Sequence, residues 1–239
     1  MLTLSIVSHG HGAMLDDLLR DLEIVDGGVP FEVLLTLNIP EPDPAAAAGV
    51  RYPLRIVRNA QPRGFGANHN AAFKRSTGDF FCVLNPDVRL RSDPFPALLQ
   101  ELAHPNTGVV APAITDTAGL PEPTARRFPT PSSILRKALF GALVREYEYT
   151  DAPLAVDWVS GVFMLFPRAV YERLDGFDER YFLYYEDVDL CARLRALGLK
   201  VRLVPAATAQ HAARHDSHRN WRYTRWHLAS MLRFFTTRY

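Results

Sequence analysis

The sequence lacks the features of disulfide-rich, membrane-spanning and strongly charged proteins. It has only two cysteines in 239 residues. Cys82 and Cys191 lie in apolar or helical patterns, which is typical of unpaired core thiols in a reducing compartment, so we expect no disulfide. No apolar run is long enough to cross a bilayer, and no signal-peptide pattern follows Met1. The formal net charge of +1 gives no reason to expect nucleic acid as a partner. We therefore expect a cytoplasmic globular protein.

The first half of the chain alternates strand and helix patterns. Hydrophobic residues make up 48% of the sequence, enough for the core of one large domain. Strands are predicted at Leu2–Val7, Phe31–Leu37, Leu54–Val57, Phe80–Leu84 and Gly108–Ala111. Helical spacing follows Met14, and helices are also predicted before Gly78 and over Pro94–Ala103, the latter capped by Asp93. This alternation predicts an α/β fold with a doubly wound, mainly parallel sheet.

The pattern changes after about Asp116. The stretch "DTAGLPEPTARRFPTPSS" is proline-rich and has neither a strand nor a helix period, so it is interpreted as a functional or disordered loop. Order resumes at Asp157 with an extended segment and two helices. A last strand is predicted over Lys200–Val204 and a final helix over Asn220–Phe235.

One apolar strand ends abruptly in polar residues. Phe80–Leu84 is followed by Asn85, Pro86 and Asp87. Ligands of α/β sheets collect beyond the carboxyl ends of the strands, so Asp87 is a candidate functional residue. Asn, Pro and Asp are also ordinary turn residues, and a simple turn is the alternative.

A second acidic candidate lies at the start of the helix that ends near Gly198. Its predicted buried stripe consists of Leu190, Leu194 and Leu197. Asp187 precedes this stripe at the same spacing and is expected to face inward. Glu186 and Asp189 are turned away by roughly 100° and 200° and are expected to face the rim or solvent. An acidic cap on an amphipathic helix is the alternative, but the aromatics of "ERYFLYYEDVD" favour a walled site.

Several segments taken together resemble a known family. They are "LTLSIVSH", "RGFGANHNAAF", "FFCVLNPDVRL" and the stretch from Asp157 to His211. In order and spacing they resemble the inverting family-2 glycosyltransferases of the GT-A fold, most of all the bacterial branch that includes rhamnosyltransferases of surface-polysaccharide assembly. The resemblance implies a nucleotide-sugar-binding half, residues 1–115. Residues 116–239 would form the acceptor-binding and catalytic-base half of the same domain, with the C-terminal helix.

The resemblance also implies a divalent metal, Mn²⁺ or Mg²⁺. "NPD" takes the position of the family's Asp-X-Asp motif, with Asn85 where the first acid often stands and Asp87 as the strong ligand. His211 would be the second protein ligand. The alternative is a surface histidine in a run with His215 and His218. "HAARH" lacks the glutamate of a zinc-protease helix, so that class is disfavoured.

The remaining site residues are likewise implied by the resemblance. Donor contacts are expected from Ser8, His9, Asn38, Arg63, Gly64 and Asn70, although core packing also accounts for the helix after Gly64. Acceptor and lid contacts are expected from Trp158, Ser160, Gly161, Glu186, Arg126 and Arg127. The two arginines could close over the diphosphate, since guanidinium groups suit phosphate oxygens, and a solvated loop is equally open.

The implied reaction is the transfer of a sugar with inversion. Asp187 is assigned as the general base, while Asp87, His211 and the metal stabilise the leaving nucleoside diphosphate. The first choice of donor is dTDP-rhamnose, with UDP-sugars open, and the acceptor is a glycan or polyprenyl-linked glycan. Two other classes remain. They are a non-catalytic nucleotide- or glycan-binding module, which Asn85 and Asn38 would favour, and a sugar nucleotidyltransferase, of which "SHGHGAML" is a poor signature.

The C-terminal part is the most basic part of the chain. From Arg193 onward most charges are Arg, Lys or His, and the last predicted helix mixes aromatics with arginines. Packing of an amphipathic helix on the domain is the favoured interpretation. Peripheral contact with the inner face of the cell membrane is the alternative.

Overall fold

The computed structural model describes residues 1–25, 28–140, 146–148, 150–212, 221–237 and 239, without the side chains of 137–140. The helices are α1 Ala13–Asp21, α2 Phe65–Phe73, α3 Phe95–Leu102, α4 Pro131–Phe140, α5 Arg168–Arg173, α6 Glu186–Ala196 and α7 Trp221–Thr236. The first strands are β1 Leu2–Ser8, β2 Phe31–Leu37, β3 Leu54–Arg58, β4 Phe80–Leu84, β5 Val88–Arg89 and β6 Thr107–Thr115. The others are β7 Ala125–Arg126, β8 Leu154–Val156, β9 Trp158–Val159, β10 Phe163–Pro167 and β11 Lys200–His211.

The main sheet has the strand order β3-β2-β1-β4-β10-β6-β11-β5, and β8 pairs with β11. The neighbours β1 and β2, β2 and β3, β1 and β4, and β6 and β11 are parallel. Strand β10 runs antiparallel between β4 and β6. The predicted α/β architecture with a mainly parallel sheet is confirmed.

Both faces of this sheet are covered. Leu4 and Ile6 of β1 are fully buried in the core on the face that α1 and α3 cover, while Phe81 and Val83 of β4 belong to the core on the other face. In α3, the first turn is stabilised as expected, since the backbone N–H of Phe95 donates to the Asp93 carboxylate at 2.9 Å. Because the chain crosses and recrosses one sheet, the carboxyl ends of its parallel strands gather at one edge.

The last strand is much longer than predicted. It continues past Val204 because a register shift between Val204 and Thr208 lets the chain keep pairing with β6. Such irregularities accommodate residues that interrupt a ladder, as Pro205 does here by lacking an N–H. The extension brings His211 opposite Val88 of β5. It is therefore the bulged strand that carries His211 to the sheet edge where Asp87 lies.

The proline-rich segment after Asp116 is more regular than predicted. Its turn is closed by the Asp116 carboxylate, which accepts from the backbone of Ala118 and Leu120 at 2.9 and 2.8 Å. Strand β7 then forms a two-stranded sheet with β9. Tertiary pairing supplies the order that the local sequence does not specify.

Two further features concern the cysteines and the membrane. Cys82 and Cys191 are both buried and free. Within the described ranges, no helix is both long and apolar enough to cross a membrane. The last helix begins at Trp221, whereas the predicted start at Asn220, and also His215 and His218, lie outside the described residues.

Candidate active site

The strand end after β4 is joined to two other segments by backbone hydrogen bonds. The N–H of Asn85 donates to the carbonyl of Val162 at 2.9 Å, and the N–H of Ala212 donates to the carbonyl of Asp87 at 2.8 Å. These contacts bring the end of β11 and the segment before β10 to the same edge. Two of the predicted residues, Asp87 and His211, become direct neighbours there.

Asp87, His211 and Glu122 form a row of three interacting side chains. Nε2 of His211 lies 3.3 Å from Oδ2 of Asp87, and Nδ1 of His211 lies 2.9 Å from Oε2 of Glu122. Burial would lower the pKa of His211, but the two carboxylates raise it to about 9. Burial would likewise raise the pKa of Asp87, but His211 holds it below its usual value. The row is an imidazolium between two carboxylates when Nε2 is protonated.

The donor set at Asp87 fits a divalent cation. A carboxylate and an imidazole are ligands that Mn²⁺ accepts. Oδ1 of Asp87 is buried without a hydrogen-bond partner among the described residues, so one ligand atom is uncommitted. No group of three or more His, Cys, Asp or Glu side chains in the described part of the chain is arranged as a complete metal site. Two protein ligands would leave positions for oxygens of a bound diphosphate.

Asp187, the predicted base, is anchored at the start of α6. Its Oδ2 accepts from the backbone N–H of Gly161 at 3.0 Å, and its Oδ1 accepts from the N–H of Val188 at 2.8 Å. Gly161 is a tight position, because a Cβ there would lie 3.0 Å from the Phe65 ring. Asp187 is thereby fixed against the segment that precedes β10, whose other end is bonded to Asn85. The two acidic candidates thus belong to one connected region.

Glu186 and Asp189 are placed differently from the prediction. Both were expected at the rim or in solvent, yet only 5% of Glu186 and 1% of Asp189 is exposed. Asp189 accepts from Nε of Arg193 and from the hydroxyl of Tyr239, both at 2.8 Å. Leu197, expected in the buried stripe, is 36% exposed. Tyr239, near the C-terminal end, packs on Asp189, and the helical period alone does not reveal this contact.

The buried Glu186 and the partly buried Asp187 have unusual acid–base properties. Burial, and then the charge of Asp187, raises the pKa of Glu186 well above its ordinary value. Burial also raises the pKa of Asp187, while the N–H groups of Gly161 and Val188 oppose the rise. Oε2 of Glu186 is buried without a partner in the described residues. Glu186 is thus held as the neutral acid more firmly than Asp187.

The predicted acceptor residues border Asp187. The N–H of Ser160 donates to the carbonyl of Thr124 at 2.9 Å, and the Ser160 hydroxyl is buried without a hydrogen-bond partner within the described ranges. The indole N–H of Trp158 donates to the carbonyl of Arg127 at 2.8 Å. These bonds join the segment from β9 to Gly161 to the segment around β7.

The two predicted lid arginines have different surroundings. The Arg126 guanidinium lies 5.5 Å from the centre of the Trp158 ring, and its charge opposes the rise in the pKa of Asp187 that burial causes. The Arg127 guanidinium lies over Tyr147 at 5.2 Å. Of the two, Arg126 is the one whose charge acts on the proposed base.

The predicted donor residues at the ends of β1 and β2 form a polar network. Oδ1 of Asn38 accepts from the N–H of Arg63 and from the Asn59 amide, both at 2.8 Å. Its amide nitrogen lies 3.0 Å from the carbonyl of Arg63 and 3.2 Å from Nδ1 of His9. Asn38 is 5% exposed and ties the segment before α2 to the sheet. The hydrogen bonds of the Asn38 side chain to Asn59 and Arg63 therefore fix the backbone at the end of β2.

Gly64 and Asn70 are both committed to the segment after α5. A Cβ on Gly64 would lie 2.8 Å from the carbonyl oxygen of Phe182. Glycine therefore allows a close approach between two segments of the protein backbone at this position. The Asn70 amide donates to the carbonyl of Phe177 at 2.8 Å and accepts from its N–H at 2.9 Å. The Tyr171 hydroxyl also donates to Oδ1 of Asn70, at 2.9 Å. These residues position the chain that leads into α6.

Two acidic residues of the site were not predicted. Besides Glu122, Glu41 accepts from the Ser8 hydroxyl at 2.9 Å and from the N–H of Gly10 at 3.2 Å. Both glutamates lie in proline-containing stretches with no secondary-structure period. Only an unusual acid between two prolines, "PEP" in each case, marks them in the sequence.

Comparisons with known proteins identify the family of the chain. The model of the glycosyltransferase-like family 2 matches residues 43–231. The rhamnosyltransferase WbbL of Escherichia coli K12 is 30% identical over 254 residues, covering 98% of this chain and 92% of that protein. The N-acetylglucosaminyl-diphospho-decaprenol L-rhamnosyltransferase of Mycobacterium tuberculosis is 30% identical over 249 residues, covering 94% and 79%.

The fold is shared with solved glycosyltransferases. A mannosyltransferase from Pyrobaculum calidifontis, solved with GDP-Man and Mn²⁺, superposes with a TM-score of 0.68 at 18% identity. The match covers 100% of this chain and 65% of that one. The sheet therefore has the GT-A fold, as predicted.

The chain belongs to glycosyltransferase family 2. It is a glycosyltransferase of the hexosyltransferase class, and the family resemblance drawn from the sequence is confirmed.

Proposed function

We propose that this enzyme transfers a sugar, in the first instance rhamnose, from a nucleoside-diphosphate donor to a glycan or lipid-linked glycan in surface-polysaccharide synthesis. The donor would be a dTDP- or UDP-sugar, and the reaction would take place in the cytoplasm, with inversion and with Mn²⁺ or Mg²⁺. The names of both relatives at 30% identity support rhamnose as the sugar, and the name of the mycobacterial one supports a lipid-linked acceptor. The observation that carries the chemistry is the link between two acidic centres, the Asp187 carboxylate and the row of Asp87, His211 and Glu122. The segment Gly161–Val162 makes this link, because it is bonded to Asp187 at one end and to Asn85 at the other.

Asp187 is proposed as the general base that removes the proton from the attacking hydroxyl. The backbone N–H groups of Gly161 and Val188 orient its carboxylate. Burial raises its pKa, which makes it a stronger base than an exposed aspartate. Glu186, kept neutral beside it, is proposed to border the acceptor site.

Asp87 and His211 are proposed to hold the metal at the donor diphosphate. When bound there, a divalent ion neutralises charge on the departing phosphate oxygens. Glu122 is proposed to accept a hydrogen bond from Nδ1–H of His211, which lies 2.9 Å away, so that Nε2 on the side of Asp87 is the ligand atom once its proton is displaced. Asn85 lies two residues before Asp87 in the same turn and is proposed to line the diphosphate site.

Arg126 lies near the proposed base, Asp187. We propose that its positive charge offsets negative charge on the donor diphosphate. Arg126 stacks on Trp158, which would border the acceptor together with Ser160. Ser8, His9, Asn38 and Arg63 are proposed to shape the nucleoside corner, with Glu41 fixing the end of β1. Inversion then requires that hydroxyl and leaving group lie on opposite sides of the anomeric carbon.

The test is donor turnover followed by nucleoside-diphosphate release. The protein is incubated with dTDP-rhamnose and with UDP-sugars, with Mn²⁺ or chelator, and with and without a polyprenyl-diphosphate-linked sugar. Acceptor-dependent release with inverted product, seen with dTDP-rhamnose and lost with chelator, is expected. Pyrophosphate release would instead indicate a nucleotidyltransferase, and nucleotide binding without turnover would indicate a binding module.

A further inference from the structure

The outer face of α7 carries an unusual stripe of large side chains. At 100° per residue, Trp221, Arg225, Leu228, Leu232 and Phe235 fall within an arc of about 80°. Trp221 is 72% exposed, Leu232 63%, Leu228 47% and Phe235 39%. We call these five residues the outer stripe. Four apolar side chains in one row on a solvent-facing helix surface are a sign of an interaction site.

The opposite side of α7 fixes the helix to the enzyme. Ser230 and Phe234 lie about 180° and 220° from Trp221 and are buried. The Ser230 hydroxyl donates to the carbonyl of Leu183 at 2.9 Å. Phe234 packs with Val188 and Ala192 of α6. The outer stripe is therefore not the side that the helix uses to dock on its own domain.

The charge of the helix decides which partner fits. Over Trp221–Thr236 the sequence has three arginines, Arg222, Arg225 and Arg233, and no Asp or Glu. Arg225 lies within the outer stripe, and Arg222 follows about 100° from Trp221. Two copies of this helix packed face to face would bring like charges together, whereas an anionic surface complements them. Basic residues beside an apolar stripe with Trp and Phe are typical of helices that lie in a bilayer interface.

We propose that the outer stripe of α7 binds the surface of an anionic lipid bilayer, with Trp221, Leu228, Leu232 and Phe235 in the interface and Arg225 at the headgroups. The helix lies parallel to the membrane and does not span it. Since α7 also packs on α6, which begins with Glu186 and Asp187, the docked helix holds the catalytic end of α6 close to the bilayer. The inference adds to the proposed function the place where a lipid-linked acceptor is met.

Vesicle binding tests the proposal without donor, metal or acceptor. The full chain is sedimented with vesicles of phosphatidylcholine alone and of phosphatidylcholine with phosphatidylglycerol at 3:1, at low and high salt. Binding is expected with the anionic vesicles and is expected to weaken with salt, because the arginine contribution is screened. Tryptophan fluorescence should shift to the blue on binding.

The double variant Leu228→Ser, Leu232→Ser should lower vesicle affinity by about tenfold or more, since each leucine contributes apolar area to the interface. Leu120→Ser is the matched control. Leu120 is 65% exposed in the turn after Asp116, far in sequence from α7, and this variant should bind as the parent does. Both variants change exposed positions, and equal melting temperatures would confirm that the fold is intact.

Three outcomes would overturn the proposal. They are no binding to anionic vesicles, binding that the double variant leaves unchanged, and a dimer in light scattering that the double variant dissociates. The last outcome would assign the outer stripe to a second copy of the chain. Because the assay needs no turnover, its failure leaves the proposed transfer reaction standing, and the failure of transfer leaves vesicle binding measurable.

Discussion

Replacing Asp187 with asparagine tests the proposed base with little change in the shape of the site. The side chain keeps its size and shape but loses the carboxylate that would accept the proton. In the parent enzyme, the two carboxylate oxygens accept from Gly161 at 3.0 Å and from Val188 at 2.8 Å. An amide has a single acceptor oxygen, so one of these N–H groups would face an NH₂ group.

The expected effects differ greatly between rate and stability. Loss of a positioned general base lowers the transfer rate by about 10²–10⁴-fold, which is about 2.7–5.4 kcal/mol in activation free energy. The unsatisfied N–H costs about 1–3 kcal/mol of stability. Removal of a partly buried negative charge beside Glu186 offsets part of this cost. Donor affinity should stay near that of the parent, because no donor contact is assigned to Asp187.

Glu186→Gln is the matched control, because it alters the neighbouring acid at the same helix start. We expect a milder loss of transfer. The pKa values of Glu186 and Asp187 are raised in the folded enzyme, so folding retains protons that the unfolded chain releases. Their contribution is therefore present below the unfolded pKa and is lost as the pH rises through the raised folded values. Glu186→Gln should make stability less dependent on pH above about 4.5, the ordinary range of a glutamate.

The assay is transfer to a lipid-linked acceptor, with donor affinity from calorimetry and unfolding in urea measured alongside. Parent-like turnover of Asp187→Asn would refute the assignment of the base. So would a result in which Glu186→Gln is the inactive variant.

Three further predictions follow from the same geometry. Asp87→Ala should abolish the dependence of nucleoside-diphosphate affinity on Mn²⁺, and equal affinities of the parent with Mn²⁺ and with chelator in calorimetry would contradict the metal assignment. Glu122→Ala should weaken Mn²⁺ binding by about 10–100-fold in electron paramagnetic resonance titrations, because His211 loses its orienting partner; unchanged affinity would restrict Glu122 to a structural role. Gly64→Ala should lower the free energy of unfolding by about 1–3 kcal/mol, because its Cβ would lie 2.8 Å from the Phe182 carbonyl oxygen, and a parent-like urea midpoint would show that the backbone relaxes there.

The sequence by itself determined the architecture and the main acidic candidates. Continuous apolar runs such as Phe80–Leu84 are typical of buried strands in a sheet covered on both faces, and their alternation with helices indicates the fold class. The position of Asp87 follows directly, since it comes just after such a strand. The spacing of Leu190 and Leu194 also marked Asp187 as a candidate at the start of α6. The inward direction that it gave was only partly right, because Glu186 and Asp189 are buried more fully than Asp187.

Only the tertiary structure decided which acidic residues are buried and which side chains meet, because both depend on contacts between distant parts of the chain. The burial of Glu186 and Asp189 was missed, because the helical period describes one helix and not the residues that pack over its first turn, such as Tyr239 at Asp189. Glu122 joined His211 only because a bulge extends β11 far enough to bring together residues that are 89 positions apart. Such contacts depend on register and on chain crossings, and neither leaves a periodic trace in the local sequence.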